Sequence, residues 1–326
     1  MPKTLYWVIP CYNEEEALPQ TAETLIQQTE EMIAQQKISP DSRILFVDDG
    51  SADKTWELIC RFHQMNRLCS GLQLSRNRGH QNALLAGLFY AAEKADFTVS
   101  MDADLQDDPA AVWAMIDAYS AGSDIVYGVR SQRKSDRFFK RFSAEAFYRI
   151  LNFLGAETVF NHADFRLMSR RAVEGLQRFR EVNLFLRGIV PMIGYPSSVV
   201  YYERRQRTAG KSKYPFRKML HFALDGITSF STKPIRLISF LGFLIFLVSI
   251  LAIVYSLIRH LTGHTVAGWT SVLASVWAIG GLILLSIGVI GEYIGKIYLE
   301  TKARPRYLIQ EILDQTEDEN KSQDKK

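Results

Sequence analysis

Cysteine is scarce in this chain of 326 residues, with only Cys11, Cys60 and Cys69 present. An odd count without zinc-type or redox spacing excludes a disulfide framework and a structural zinc site. It reads as free thiols in a reducing compartment. Met1–Pro10 has no long apolar stretch, so no secretory leader is expected. Net charge is small, +4 at neutral pH. Basic residues cluster at 130–149, 204–236 and 296–306, the first two interleaved with Phe and Tyr. No RNA-binding signature accompanies them, so nucleic acid is not expected as a partner. A membrane surface or a phosphate-bearing substrate fits those clusters better. Gly210-Lys211-Ser212 is not a P-loop, because Arg205 stands where that motif needs its first glycine. Internal repeats are absent.

Long apolar runs are present, however. Leu237–Ile258 covers 22 residues without a charge, and Thr265–Gly291 covers 27. Each is long enough to cross ~30 Å of hydrocarbon as a helix. The link Arg259–His264 is short, so the two read as a hairpin. Lys211, Lys213, Arg217, Lys218, Lys233 and Arg236 precede the first run; Lys296, Lys302, Arg304 and Arg306 follow the second. The positive-inside rule then predicts a multi-pass protein of the cytoplasmic (inner) membrane, with both termini and the soluble domain in the cytoplasm. The expected layout is a catalytic domain over 1–215, a juxtamembrane amphipathic helix over 216–233, spans at 234–258 and 266–292 around a loop at 259–265, and a tail over 293–326. Glu311–Lys326, charged and without aromatics, reads as unstructured.

Upstream, short apolar runs alternate with helical patterns. Leu5–Ile9, Arg43–Val47, Gly71–Leu74, Phe97–Met101 and Asp124–Tyr127 read as strands. Glu15–Gln35, Lys54–Asn66, Gln81–Lys94 and Pro109–Ala121 read as helices. This rhythm predicts an α/β fold, a mainly parallel sheet with helices on both faces. Ligands of such sheets bind beyond the carboxyl ends of the strands.

Three runs lead into polar clusters: Pro10-Cys11-Tyr12-Asn13-Glu14-Glu15, Asp48-Asp49-Gly50-Ser51 and Asp102-Ala103-Asp104-Leu105-Gln106. In extended backbone, residues i and i+2 face the same way, so Asp102 and Asp104 can face one cation and Gln106 can add a neutral oxygen. Such donors suit Mg²⁺ or Mn²⁺, with phosphate oxygens completing the shell. Solvated turn acids are the plainer alternative. Asp107 and Asp108 read as structural, Asp108 capping a helix whose first residue is Pro109. Asp49 can accept from a nucleobase ring N–H and Tyr12 can pack on the base, although the 48–51 cluster also suits a turn and Asn13 with Glu16 suits a helix cap. Arg76 and Arg78, before a helix, can help hold an anion. Phe138, Phe139, Phe142, Ala146, Ile150 and Phe153 recur at helical spacing among Arg137, Lys140, Arg141 and Arg149. That pattern suits a helix lying in the headgroup layer, with ordinary packing onto the sheet as the plainer alternative.

These motifs, with Leu74–His80, Gly128-Val129-Arg130, Ala163–Leu167 and Arg207-Thr208-Ala209-Gly210-Lys211-Ser212-Lys213, resemble the family 2 glycosyltransferases of the GT-A (Rossmann-like) fold. With the C-terminal hairpin, the chain is similar to polyprenyl-phosphate glycosyltransferases of the GtrB type, cousins of dolichyl-phosphate mannose synthase. The resemblance covers about residues 4–305. It implies inverting transfer of a sugar from a UDP- or GDP-sugar to a polyprenyl phosphate. By match, Pro10, Tyr12, Glu14, Asp49, Arg76 and Ala103 hold the nucleotide. Asp102, Asp104 and Gln106 hold the metal and diphosphate. Arg130, Arg207, Ser212 and Lys213 meet phosphates of acceptor or donor, and Asp104, Arg130 and Asp164 are the catalytic candidates. It implies a homo-oligomer too, with a tetramer as one form. The Gln-x-x-Arg-Trp motif of processive synthases is absent, since Arg precedes none of the five tryptophans. Other classes to weigh are a non-catalytic nucleotide-sugar sensor, a transporter and a transferase with a soluble acceptor.

Overall fold

Every residue from Leu5 to Cys11 is buried, as a strand covered on both faces requires. The computed structural model describes residues 2–130, 162–181, 186–203, a discontinuous set between 235 and 258, and 269–314. The elements are β1 (Leu5–Cys11), α1 (Leu18–Ala34), β2 (Arg43–Asp48), α2 (Thr55–Met65), β3 (Cys69–Leu74), α3 (His80–Ala92), β4 (Phe97–Ser100), α4 (Ala111–Ser120), β5 (Ile125–Arg130), β6 (His162–Ser169), α5 (Arg170–Gln177), α6 (Leu186–Met192), β7 (Ser197–Tyr202), α7 (Trp269–Lys302) and β8 (Ile309–Leu313). The strands form one sheet in the order β7-β5-β6-β4-β1-β2-β3-β8.

The sheet is more mixed than expected. β1 pairs in parallel with β2 and β4, as do β2 with β3 and β5 with β7. Antiparallel β6 separates β4 from β5, and antiparallel β8 covers the edge at β3. Alternate side chains feed two faces. Trp7 joins the core cluster with Leu18, Leu25 and Ile59 of α1 and α2, and its indole N–H donates to Thr29 Oγ1 at 3.1 Å. Val8 and Val47 face α3, where a Cβ on Gly87 would lie 2.5 and 2.7 Å from their methyl groups. Only glycine lets that helix approach the sheet so closely.

Two boundaries moved for local reasons. α1 begins at Leu18 rather than Glu15, because the preceding backbone serves another loop: Glu14 N–H donates to Thr55 Oγ1 and Glu15 N–H to Asp53. Asn13, expected as a cap, instead adopts φ 53° and accepts from Ala52 N–H. The presumed tail also contributes structure. Residues 309–313 form β8, and buried Asp314 accepts from Lys94 Nζ and Tyr90 OH, each at 2.7 Å.

The chain divides into two compact units, and residues 304–314 group with the sheet. The other unit contains α7. Among the described residues one helical stretch, Ile279–Lys302, is long and apolar enough to cross a membrane, with mean hydropathy 1.7 and no part of its apolar window buried. The helix that carries the second expected span runs on past residue 292, through Lys296 to Lys302. The first expected span is only partly described, with Phe240, Phe243, Val248, Leu251 and Tyr255 exposed along it. The expected helices at 136–154 and 216–230 lie outside the described residues, as do Arg207, Ser212 and Lys213.

Candidate functional site

The ends of β1, β2 and β4 and the start of α3 lie along one sheet edge. β1 ends in buried Pro10 and Cys11, and the next residue, Tyr12, is 46% exposed. Burial pushes the Cys11 thiol well up, which removes it as a nucleophile at neutral pH. Glu14 is half-buried beside α2. Asp48 is fully buried and serves the turn, accepting from Ser51 N–H at 3.2 Å and Gln73 Nε2 at 3.1 Å.

Asp49 clamps the neighbouring loop. Its two oxygens accept the backbone N–H groups of Arg78 (2.7 Å) and Gly79 (2.8 Å). Burial raises its pKa, and those two bonds pull the other way. Gly50 makes the clamp possible: at φ +66°, a Cβ would lie 2.6 Å from the carbonyl carbon of Arg76. Arg76 itself is exposed on that loop.

β4 stops at Ser100, so the acidic loop is a turn, with Leu105 at φ 52°. The alternation expected of extended backbone does not apply to Asp102 and Asp104. Asp104 is oriented from within the loop instead, accepting from Gln106 N–H at 3.2 Å and Gln106 Nε2 at 2.7 Å. Gln106 is buried. Ala103 is buried too, and its carbonyl accepts from Thr21 Oγ1 at 2.6 Å. Asp108 caps the turn before α4, accepting from Ala110 N–H at 3.1 Å.

Asp164, on β6, is the most heavily paired acid. Arg166 Nη2 donates to it at 2.6 Å, Arg187 Nη2 lies 3.4 Å away, and His80 Nε2 lies 3.7 Å away. Burial opposes ionisation, but these cations hold its carboxyl well below the usual range. His80 also lies 3.5 Å from Asp102. Burial opposes its charge, but Asp164 and Asp102 raise its pKa. Asp102, whose side chain keeps 40% exposure, is pushed up to about 6 by burial; His80 works against that, while Asp164, Asp107 and Asp104 add to it. Arg130 ends β5 and pairs with Asp107 rather than standing open, at 2.9 Å.

The predicted residues of the first three strand ends thus converge, and Asp164 joins them. His80, Arg166 and Arg187 were not singled out as site residues from the sequence. Arg166 had a signal, since it alternates with Asp164 on one strand; His80 lay in the basic motif; Arg187 had none.

One sheet edge thus collects an exposed aromatic ring, an amide-clamped loop and several carboxylates. Residues 6–176 match the family model described as Glycosyl transferase family 2, and residues 233–297 match the GtrB C-terminal hairpin. The chain belongs to glycosyl transferase family 2. It is 52% identical over 302 residues to the uncharacterized glycosyltransferase YkoT of Bacillus subtilis, covering 93% of this chain and 90% of that one. It is 40% identical over 304 residues to the bactoprenol glucosyl transferase of Shigella phage SfX, covering 93% and 97%. A solved structure of glucosyl-3-phosphoglycerate synthase from Mycobacterium tuberculosis with Mn²⁺, UDP-glucose and phosphoglyceric acid is similar at 17% identity and TM-score 0.43, over 69% of this chain and 78% of that one.

Proposed function

We propose that this protein transfers glucose from UDP-glucose to a polyprenyl phosphate, undecaprenyl phosphate in particular, with inversion at the anomeric carbon. The product would supply sugar for cell-envelope glycosylation. The observation that carries this reading is the likeness along nearly the whole chain to a bactoprenol glucosyl transferase, 40% over 93% of the residues, joined to the hairpin match. The hairpin and the distribution of basic residues support a site on the cytoplasmic face of the inner membrane. UDP-N-acetylglucosamine, GDP-mannose and a UDP-aminoarabinose derivative are the alternative donors, and a homo-oligomer is the expected assembly.

A Mg²⁺ or Mn²⁺ ion belongs to the proposal, and the donor set fits one. Asp102 and Asp104 bring two carboxylates and Gln106 an amide oxygen to one loop, with the Asp102 side chain 40% exposed, hard donors that suit a divalent cation. Asp102, Asp104 and Gln106 would hold it. Bound there, it would neutralise charge on the departing diphosphate. Among the described residues no group of three or more His, Cys, Asp or Glu forms a metal cage, so donor phosphate oxygens would complete the shell. Tyr12 offers its exposed ring to the base, and the loop clamped by Asp49 lies beside it. Asp164, ionised and matched by three cations, can orient the sugar or the acceptor. The acceptor phosphate, with a second pKa near ~6, is mostly dianionic at neutral pH and needs no strong base. The chain's task is to align two anions, which the basic residues Arg207 and Lys213, with the Ser212 hydroxyl, support on the acceptor side.

The test is transfer from radiolabelled UDP-glucose to undecaprenyl phosphate in membranes carrying the full chain. An organic-soluble sugar phosphate is expected, and Asp104→Ala should abolish it with an unchanged circular dichroism spectrum. A wild-type chain that binds UDP but yields no lipid-linked sugar from any of the four donors would be a sensor, and the proposal would fail.

A further inference from the structure

Asp107 is buried, 1% exposed, yet three donors converge on one of its oxygens. Arg130 Nε (3.2 Å), Arg130 Nη2 (2.9 Å) and Tyr202 OH (2.6 Å) all reach Oδ1. Arg130 Nε also lies 3.3 Å from the Tyr202 hydroxyl. The other oxygen, Oδ2, is buried without a hydrogen-bond partner, so the junction is made through a single atom. The Tyr202 ring stands edge-on to Phe165 of β6, with centroids 5.2 Å apart, which fixes the hydroxyl's position.

The place of these residues in the chain gives the junction its meaning. Asp107 directly follows Gln106, the residue that orients Asp104. Arg130 is the last residue of β5 and Tyr202 the last of β7. From Arg130 the sequence runs into the basic aromatic segment 131–161, and from Tyr202 into 204–234, which carries Arg207, Ser212 and Lys213. We propose that Asp107 is a positioning residue: it registers the donor-side loop 102–106 against the two strand ends from which both acceptor-side segments depart. This rests on the transferase reading above. In that reading the two reacting phosphates must be aligned, and a misplacement of about 1 Å can cost ~100-fold in rate. A carboxylate shared by the donor loop and both strand ends supplies that alignment without touching either substrate.

Tyr202→Phe removes one hydrogen bond and keeps the ring against Phe165; Asp107→Asn removes the charge. Full-length protein in undecaprenyl-phosphate membranes should show kcat reduced ~10-fold in Tyr202→Phe and ~100-fold in Asp107→Asn, with KM for the nucleotide sugar within about twofold. The double variant should be no slower than Asp107→Asn alone, because both act through one oxygen. Independently of turnover, backbone amide exchange in 102–108 should quicken in Tyr202→Phe while β1 and β2 stay protected. Wild-type kcat in Tyr202→Phe, or losses that multiply in the double variant, would overturn the proposal. So would unchanged exchange in 102–108, a readout that holds even if the wild-type chain proves inactive with lipid acceptors and the transferase reading falls by itself.

Discussion

Replacing Gly50 with alanine tests whether the loop after β3 is held where the nucleotide site needs it. Two costs arise at this position. The backbone sits at φ +66°, where an L-residue loses about 1–2 kcal/mol. The new Cβ would lie 2.6 Å from the Arg76 carbonyl carbon, 2.7 Å from Asn77 N and 2.8 Å from Arg76 Cα. All three are backbone atoms, so no rotamer change relieves the overlap. Overpacking of this kind costs about 1–3 kcal/mol. Gly194 isolates the second cost, since its φ is +73° but its Cβ would meet nothing closer than 4.0 Å. Gly194→Ala should therefore show the conformational cost alone. The excess in Gly50→Ala should appear as a further fall in Tm of about 2–10 °C, measured on the full chain in detergent. Because relief must come from loop 76–79 moving off Asp49, UDP affinity by calorimetry should fall in Gly50→Ala and not in Gly194→Ala. Equal Tm losses with unchanged UDP affinity in both variants would refute the close approach and the clamp together.

Gly87→Ala should destabilise by about 1–3 kcal/mol, because its Cβ would press on Val8 and Val47; combination with Val8→Ala should restore part of the loss in thermal unfolding. Asp314→Asn should cost about 1–3 kcal/mol, since Lys94 and Tyr90 both donate to that buried carboxylate, and no loss would mean β8 is not fastened there. For Asp124, burial opposes the charge, but hydrogen bonds from Arg171 and Ser169 lower the folded pKa below its ordinary value. A depressed folded pKa adds stability above the unfolded value near ~3.9 and loses it as pH falls through the folded one. The Tm gap between wild type and Asp124→Asn should thus be full at pH 6 and shrink below about pH 4; a constant gap across that range would remove Arg171 from the account.

The parallel half of the sheet was legible because its strands are buried on both faces. Leu5–Cys11 and Arg43–Asp48 are nearly unbroken apolar runs, and each ends where polar residues begin. The antiparallel and edge strands gave no such signal. β6 carries a buried arginine in mid-strand, which breaks its apolar pattern. β7 and β8 are the edge strands; exposed positions alternate with partly buried ones in β7, and β8 leaves its first three residues exposed. Polar residues such as Glu311 fit an edge and also discourage further pairing. Composition alone could not tell such a strand from a loose tail. The long helix α7 shows a related limit: hydropathy marked an apolar run, and the helix continues beyond it.

For the site, the sequence showed which carboxylates gather and left open which of them are matched. The acidic loop and Asp164 were visible as motifs. Their electrostatic roles depend on β6 lying beside β4, a pairing that no local pattern announces. Arg166 stands two residues from Asp164 on the same strand, and Arg187 and His80 lie 3.4 and 3.7 Å from that acid. Asp107 is matched by Arg130. Among the described residues, Asp102 has one basic partner, His80 at 3.5 Å, against the fields of three carboxylates. Asp102 is therefore the less matched of the two acids, although both residues carry the same formal charge. A cation gains most at the unmatched acid, while the matched one can stay ionised and fixed beside it. In the proposed reading, this difference would put the metal on the loop side of the site and leave Asp164 to orient a substrate.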